Sequence, residues 1–170
     1  MTQNIDPHHR DRAGRTPLHY AVADGPRDIK NPVMIKDPAQ ADEARRKITE
    51  YKLTNTKHLI DAGADVNARD QDGRTPLHSA AQNSDAAVVN LLLDAGSEID
   101  AENTKGETPL YIALRATWSS PEVVRLLRDR GADVHHKTVD GDTPLKYARS
   151  IEGGGNFLER KAVFADLLDG

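Results

Sequence analysis

The residues of this sequence that are able to do chemistry are two histidine pairs, a set of recurring aspartates and a short run of glycines. The pairs are His8-His9 and His135-His136, and imidazole nitrogen is a common ligand of zinc. Adjacent side chains in extended or turn backbone point apart, and no third ligand accompanies either pair on a predicted helix. The sequence therefore predicts no metal site.

Acid–base, nucleophilic and phosphate chemistry are not predicted either. Asp65, Asp70, Asp133 and Asp140 recur at matching positions along the chain, which is typical of turn and cap residues rather than of paired catalytic carboxylates. The glycines at 153–155 lack the preceding strand and the following Lys and Ser or Thr of a phosphate-binding loop. We therefore predict no catalytic residue and no cofactor, and we expect that the protein is not an enzyme.

Length and composition favour one domain with a core of aliphatic rather than aromatic residues. The chain has 170 residues, of which 37% are hydrophobic and only 4% aromatic, and its net charge is −4. Such a balance disfavours a general nucleic-acid binder or a basic membrane-surface protein. There is no cysteine, no signal-peptide-like stretch and no apolar run long enough to span a bilayer. We expect a single cytoplasmic domain over residues 1–170.

Two short motifs recur in phase, and they determine the predicted fold. The motif Gly-x-Thr-Pro-Leu begins at Gly14, Gly73, Gly106 and Gly141, with spacings of 59, 33 and 35 residues. A second motif, in which glycine precedes Ala-Asp-Val or Ser-Glu-Ile, begins at Gly63, Gly96 and Gly131 and keeps the later spacings of 33 and 35. Such self-similarity predicts a repeat architecture.

Each motif predicts a helix boundary. The threonine hydroxyl can cap a helix, and the proline that follows fits its first position, where no N–H is needed. Small residues such as Ala80 and Ala113 follow, so that a second helix can pack closely. The second helix is apolar on one face, as in the run from Val88 to Leu93, and it ends at a glycine able to take a left-handed conformation. Polar turns such as residues 67–73 connect the units.

The pattern resembles the ankyrin-repeat family, whose 33-residue unit is a turn plus two antiparallel helices with a Thr-Pro-Leu-His signature. The resemblance covers about residues 11–168 and implies an all-α solenoid of four helix-turn-helix units linked by short β-turn or hairpin loops. The implied repeats are about 11–66, 67–99, 100–134 and 135–169. His19 and His78 keep the signature histidine, whereas Tyr111 and Lys146 replace it, which weakens a hydrogen bond between turn and helix.

The first repeat carries a long insertion between its two helices, around residues 24–50. Prolines at 26, 32 and 38 predict a surface loop first, and then a helix with Ala41, Ala44, Ile48 and Tyr51 at helical spacing. That helix either continues into the second helix of the repeat, ending near Ala62, or breaks at residues 54–56. We expect deletion of residues 26–41 to affect stability more than partner affinity.

The third and fourth repeats also depart from the pattern. Trp118, in a loop two residues longer than usual, is either a binding hot spot or a plug that packs the loop onto the core. A last helix from about Asn156 is expected to close the end of the stack with a partly polar surface, as a monomeric solenoid requires.

The resemblance implies that the protein binds another protein through its turn tips and the exposed side of each first helix, which together form a concave surface. The expected contact residues are Arg10, Arg12, Tyr20, Asp24, Arg69, Gln71, Asp72, Arg74, Ser79, Gln82, Asn83, Glu102, Asn103, Lys105, Ile112, Arg115, Lys137 and Tyr147. The leading hypothesis is a small stand-alone adaptor or inhibitor that is monomeric when free. The alternatives are an immunity-type protein that neutralises a toxin or enzyme of the same cell, and a self-associating scaffold.

Overall fold

A computed structural model describes residues 6–83, 85–116 and 120–151. Seven α-helices lie within this part of the chain, together with a 3-10 turn at Pro32–Met34, and no strand does. The helices are α1 Pro17–Ala23, α2 Pro38–Asp61, α3 Pro76–Gln82, α4 Ala86–Asp94, α5 Pro109–Arg115, α6 Pro121–Asp129 and α7 Pro144–Ile151. The predicted all-α architecture of helix-turn-helix units is confirmed.

The helices begin and end where the motifs predict. Thr16, Thr75 and Thr108 are the N-cap residues of the first helices, each with proline directly after it. The second helices of the first three units end before Gly63, Gly96 and Gly131, whose φ angles are +88°, +92° and +96°. This left-handed backbone lets the N–H of the residue after each glycine donate to a carbonyl of the helix's last turn.

One hydrophobic core runs through the whole stack. The leucine of each Thr-Pro-Leu motif in the first three units is fully buried, as are Val88, Leu92, Val123 and Leu127 of the second helices. In the first three units, the first helices α1, α3 and α5 each contact their own second helix and the first helix of the next unit. A single pair of helices cannot cover its own apolar face, so stability depends on this stacking.

The long helix α2 is continuous from Pro38 to Asp61, which settles the alternative left open by the sequence. Its 24 residues extend over about 36 Å at 1.5 Å per residue. Ala41 and Ala44 are buried as expected, but Tyr51 is 44% exposed and Lys52 is only 6% exposed. The buried stripe advances in steps of four residues from Ala44, so that it reaches Lys52 rather than Tyr51.

The insertion packs against α2 at the end of the helices away from the turn tips. It leaves α1 at Asp24, passes through the 3-10 turn and re-enters α2 at Asp37, whose side chain accepts a hydrogen bond from the N–H of Ala39. Further along α2, Thr56 replaces the valine of the next repeat and is fully buried, so the packing there includes a polar side chain. Trp118 and the helix expected from Asn156 lie outside the described residues.

Candidate partner-binding surface

The turn tips are built alike in each unit. The side-chain oxygen of Asp11, Asp70 or Asn103 accepts hydrogen bonds from the backbone N–H groups two and four residues later, at 2.8–3.0 Å. A glycine with positive φ closes each turn, and in the fourth unit the Thr138 hydroxyl accepts a bond from the N–H of Asp142. These local bonds make each tip a rigid turn.

Neighbouring tips are joined by one backbone hydrogen bond each. The N–H groups of Gln71, Thr104 and Val139 donate at 2.9 Å to carbonyls of the preceding tip. The approach is close, since a Cβ added at Gly73 would lie 3.0 Å from the backbone nitrogen of Thr104. The tips therefore form one continuous row in fixed register.

The two signature histidines connect turn, helix and next repeat. Nδ1 of His78 accepts a hydrogen bond from the N–H of Thr75 at 3.0 Å, so the ring proton sits on Nε2, which donates to the carbonyl of Glu107 at 3.0 Å. His19 makes the same pair of bonds to Thr16 and Arg74. Burial lowers the pKa of His78 from 6.5 to about 4 and lowers that of His19 in the same direction. Both rings are thus structural and neutral near pH 7.

A cluster of aromatic and charged side chains lies where the third and fourth units meet. The Arg115 guanidinium donates to a carboxylate oxygen of Glu107 at 2.5 Å and lies 5.8 Å from the ring centre of Tyr111. The Tyr111 and Tyr147 rings are 5.6 Å apart at an interplanar angle of 55°. Burial raises the pKa of the Tyr111 phenol. Tyrosine and arginine held in this way are typical anchors of protein interfaces.

Two cavities separate the tips from the first helices, which gives this flank its concave shape. One cavity of about 170 Å³ is lined by Asp72, Arg74 and Ile112. The other, of about 360 Å³, is lined by Tyr111, Arg115 and the 76% exposed Val139 of the fourth tip. We call this surface, formed by the turn tips and the exposed sides of α1, α3, α5 and α7, the concave flank.

Comparison with known proteins identifies the family. A family model described as ankyrin repeats in three copies matches residues 48–138, which is more than half of the chain. The chain belongs to the ankyrin-repeat family. Ankyrin repeats are protein–protein interaction modules.

The curated relatives are much longer than this chain. Human protein fem-1 homolog A is 36% identical over 83 residues, which cover 49% of this chain and 10% of the relative. Mouse protein fem-1 homolog C is 35% identical over 85 residues, covering 50% and 12%. Neurogenic locus notch homolog protein 1 of Xenopus laevis is 37% identical over 101 residues, covering 54% and 4%. The chain therefore spans about a tenth of the fem-1 proteins that it matches, and less of the notch protein.

Several of the expected contact residues hold the ankyrin stack together. Arg10 donates to the carbonyls of Gly14 and Arg69 at 2.9 and 2.7 Å, and Arg69 donates in turn to the carbonyl of Glu102 and forms an ion pair with Glu98. The Gln71 amide donates to the carbonyl of the preceding tip, and the Asn103 amide donates to the carboxylate that also binds Arg115. The side chains of Arg10, Arg69 and Gln71 bridge adjacent repeats, whereas that of Asn103 acts within the third repeat.

Other expected residues are exposed and make no side-chain hydrogen bond or ion pair within the described ranges. They are Arg12, Asp72, Lys105 and Lys137 on the tips, and Asp24 beyond α1. Glu102 reaches only His136 of the next tip, at 3.3 Å. On the helices, Tyr20 donates to Asp11 and Arg74 donates to Gln82, while Ser79 and Ile112 are half-buried.

The structure does not bring all of the expected residues together. Asp24 and Asn83 follow the last turns of α1 and α3, at the end of the helices away from the tips. Asn83 lines a separate pocket beside the insertion. Sequence reasoning also missed Glu107, which is buried and anchors Arg115. The sequence feature that could have identified Glu107 is its position directly before the Thr-Pro-Leu motif of the third unit, which lacks the signature histidine.

No group of three histidine or acidic side chains converges as a metal site anywhere in the described part of the chain. Among the helices of that same part, none is long and apolar enough to cross a membrane.

Proposed function

We propose that this ankyrin-repeat chain binds one partner protein along the concave flank and acts as a small adaptor or inhibitor. The observation that carries the proposal is the set of exposed cations Arg12, Lys105 and Lys137, whose charges have no partner among the described residues. They stand on turns that are fixed by repeat-to-repeat hydrogen bonds. Charged groups placed in this way steer an oppositely charged partner and fix its orientation.

The rigidity of the flank supports stable capture of the partner. The tips are closed by side-chain and backbone bonds before any partner arrives, so little ordering entropy is lost on binding. The half-buried Tyr147 and the Arg115–Tyr111 contact supply an apolar anchor beside the cations. In its more specific form, the proposal is that the protein inhibits a toxin or enzyme of the same cell.

The test is affinity capture followed by charge reversal. The chain is used as bait in a lysate of the organism that encodes it, and the captured partner is identified by mass spectrometry. The triple variant Arg12→Glu, Lys105→Glu and Lys137→Glu is expected to weaken binding by about 1.5–3 kcal/mol, or roughly 10- to 100-fold. Arg69 and Arg115 are poor choices for this test because their replacement disturbs the stack itself.

A matched control separates the effect of the concave flank on affinity from the effect of net charge. Lys57→Glu reverses an exposed lysine on the second helix of the first repeat, and it is expected to leave affinity unchanged. The single variant Lys105→Glu, which changes the net charge by the same amount, is expected to weaken binding. Unfolding midpoints of all variants establish that each is folded. Equal binding by the triple variant and the wild type would contradict the proposal, and a mass that rises with concentration in solution would favour a self-associating scaffold.

A further inference from the structure

A pocket of about 620 Å³ lies on the far side of the fold from the turn tips. It is an open pocket lined by the insertion, by α2 and by the start of α4. Its apolar lining includes Pro26, Ile29, Pro32, Ile48 and Ala86. The volume is within the range of small-molecule sites, which is about 300–1,000 Å³. The insertion that forms one wall is the main departure of this chain from a regular ankyrin repeat.

One charged side chain in this pocket has no hydrogen bond or ion pair among the described residues. Lys52 lines the pocket and is only 6% exposed, yet it makes no hydrogen bond or ion pair with any described residue. Lysines are almost never buried to this degree unless they are paired. Burial lowers the pKa of Lys52, and the charges of Asp85 and Asp24 oppose that shift.

The other charged groups that line the pocket are already bound. Both carboxylate oxygens of Asp85 accept hydrogen bonds, one from the N–H of Val88 at 3.3 Å and one from the Thr49 hydroxyl at 2.9 Å. Arg45 is paired with Asp42 at 2.8 Å. The carboxylate of Glu122 accepts from the Ser120 hydroxyl at 2.9 Å. Among the described residues, the Lys52 ammonium is the charged group of this lining that has neither a hydrogen bond nor an ion pair.

We propose that this pocket is a binding site for a small organic anion, with a carboxylate held by Lys52 and a short aliphatic body against Ile29 and Ile48. An ammonium in a partly desolvated pocket attracts an anion more strongly than it does in bulk water. The apolar lining favours the hydrocarbon part of the same molecule. The site lies apart from the concave flank and does not depend on the proposed function.

The test uses hexanoate as the probe and the full chain labelled for nuclear magnetic resonance. Hexanoate is expected to shift the methyl signals of Ile29 and Ile48 in a saturable manner. It is also expected to raise the pKa of Lys52, followed at the side-chain Cε, because a bound carboxylate favours the ammonium form. Hexanamide, which has the same shape and no charge, is expected to bind at least about 10-fold more weakly.

Two variants assign the effect to Lys52. Lys52→Met removes the cation while keeping most of the side-chain volume, and it is expected to weaken hexanoate binding at least about 10-fold. Lys57→Met removes an exposed lysine from the same helix and is expected to change nothing. The proposal is overturned if hexanoate does not saturate the wild type by about 10 mM, or if hexanamide or Lys52→Met binds equally well.

The wild type alone decides the question if Lys52→Met does not fold. Shifts that cluster on the pocket-lining residues, together with a raised pKa of Lys52, support the site. Shifts scattered over the surface, or an unchanged pKa of Lys52, overturn it.

Discussion

Replacement of His78 tests the hydrogen-bond system that joins the repeats. The ring is fully buried, accepts a bond from Thr75 and donates one to Glu107. Because its pKa falls from 6.5 to about 4 on folding, the native state favours the neutral ring. The stability that this provides is complete above about pH 6.5 and is lost as the pH falls towards 4.

The size of the effect follows from the two pKa values. Lowering the pH from about 7 to about 4.5 should reduce the free energy of unfolding by about 2 kcal/mol through His78 alone. His19, whose pKa shifts in the same direction, adds to the loss. Asp11 and Glu43, whose pKa values are lowered from 3.8 and 4.5, lose their contributions mainly at lower pH.

The assay is urea unfolding at a series of pH values for the wild type, His78→Gln and His58→Gln. Glutamine does not titrate, and the chain already accepts tyrosine and lysine at this motif position in its third and fourth units. His78→Gln should be less stable at pH 7 but should lose about 2 kcal/mol less on acidification. His58 is exposed, so its variant should follow the wild type. Parallel pH profiles for the wild type and His78→Gln would refute the reasoning.

Three further predictions concern stability, each read as the free energy of unfolding. Gly73→Ala should lower stability by about 2–3 kcal/mol, because the backbone there has a positive φ and the added Cβ would lie only 3.0 Å from the backbone of Thr104. Gly63→Ala, where φ is also positive but the space is open, should lower it by about 1 kcal/mol. Equal losses for the two variants would contradict this. Thr56→Val should stabilise by about 1 kcal/mol by removing a buried hydroxyl that has no partner in the described structure, and a loss would show that the hydroxyl is satisfied. Deleting residues 26–41 should lower the free energy of unfolding while changing the affinity for the partner less than about 3-fold. Calorimetry on the same protein measures both quantities. A larger effect on affinity than on stability would place the binding site at the insertion.

The fold could be predicted because particular residue types favour the backbone conformations at which helices begin and end. Threonine before proline begins a helix, and glycine with a left-handed backbone ends one, whatever surrounds them. Whether α2 is continuous across residues 54–56 could not be predicted from such residues. Residues 54–56 are poor helix formers, and what keeps the helix continuous there is the packing of Thr56 and Leu59 into the core.

The concave flank could be predicted in outline but not in the role of each residue. The positions of the tips follow from the repeat, so Arg12, Arg69 and Lys105 are all expected at the surface. Sequence does not distinguish an arginine that bridges two carbonyls, such as Arg69, from a cation with no partner in the described structure. That difference arises from the distance between adjacent tips, which only the stacked structure fixes.

The most direct test of the central claim is hydrogen–deuterium exchange of the chain with and without its captured partner. Binding along the concave flank predicts added protection in the turn tips at 69–74 and 102–107 and in α3 and α5. The backbone amides of α2, α4 and α6 should exchange at the same rate with and without the partner. Protection confined to α2, α4 and α6, with unchanged tips, would contradict the account.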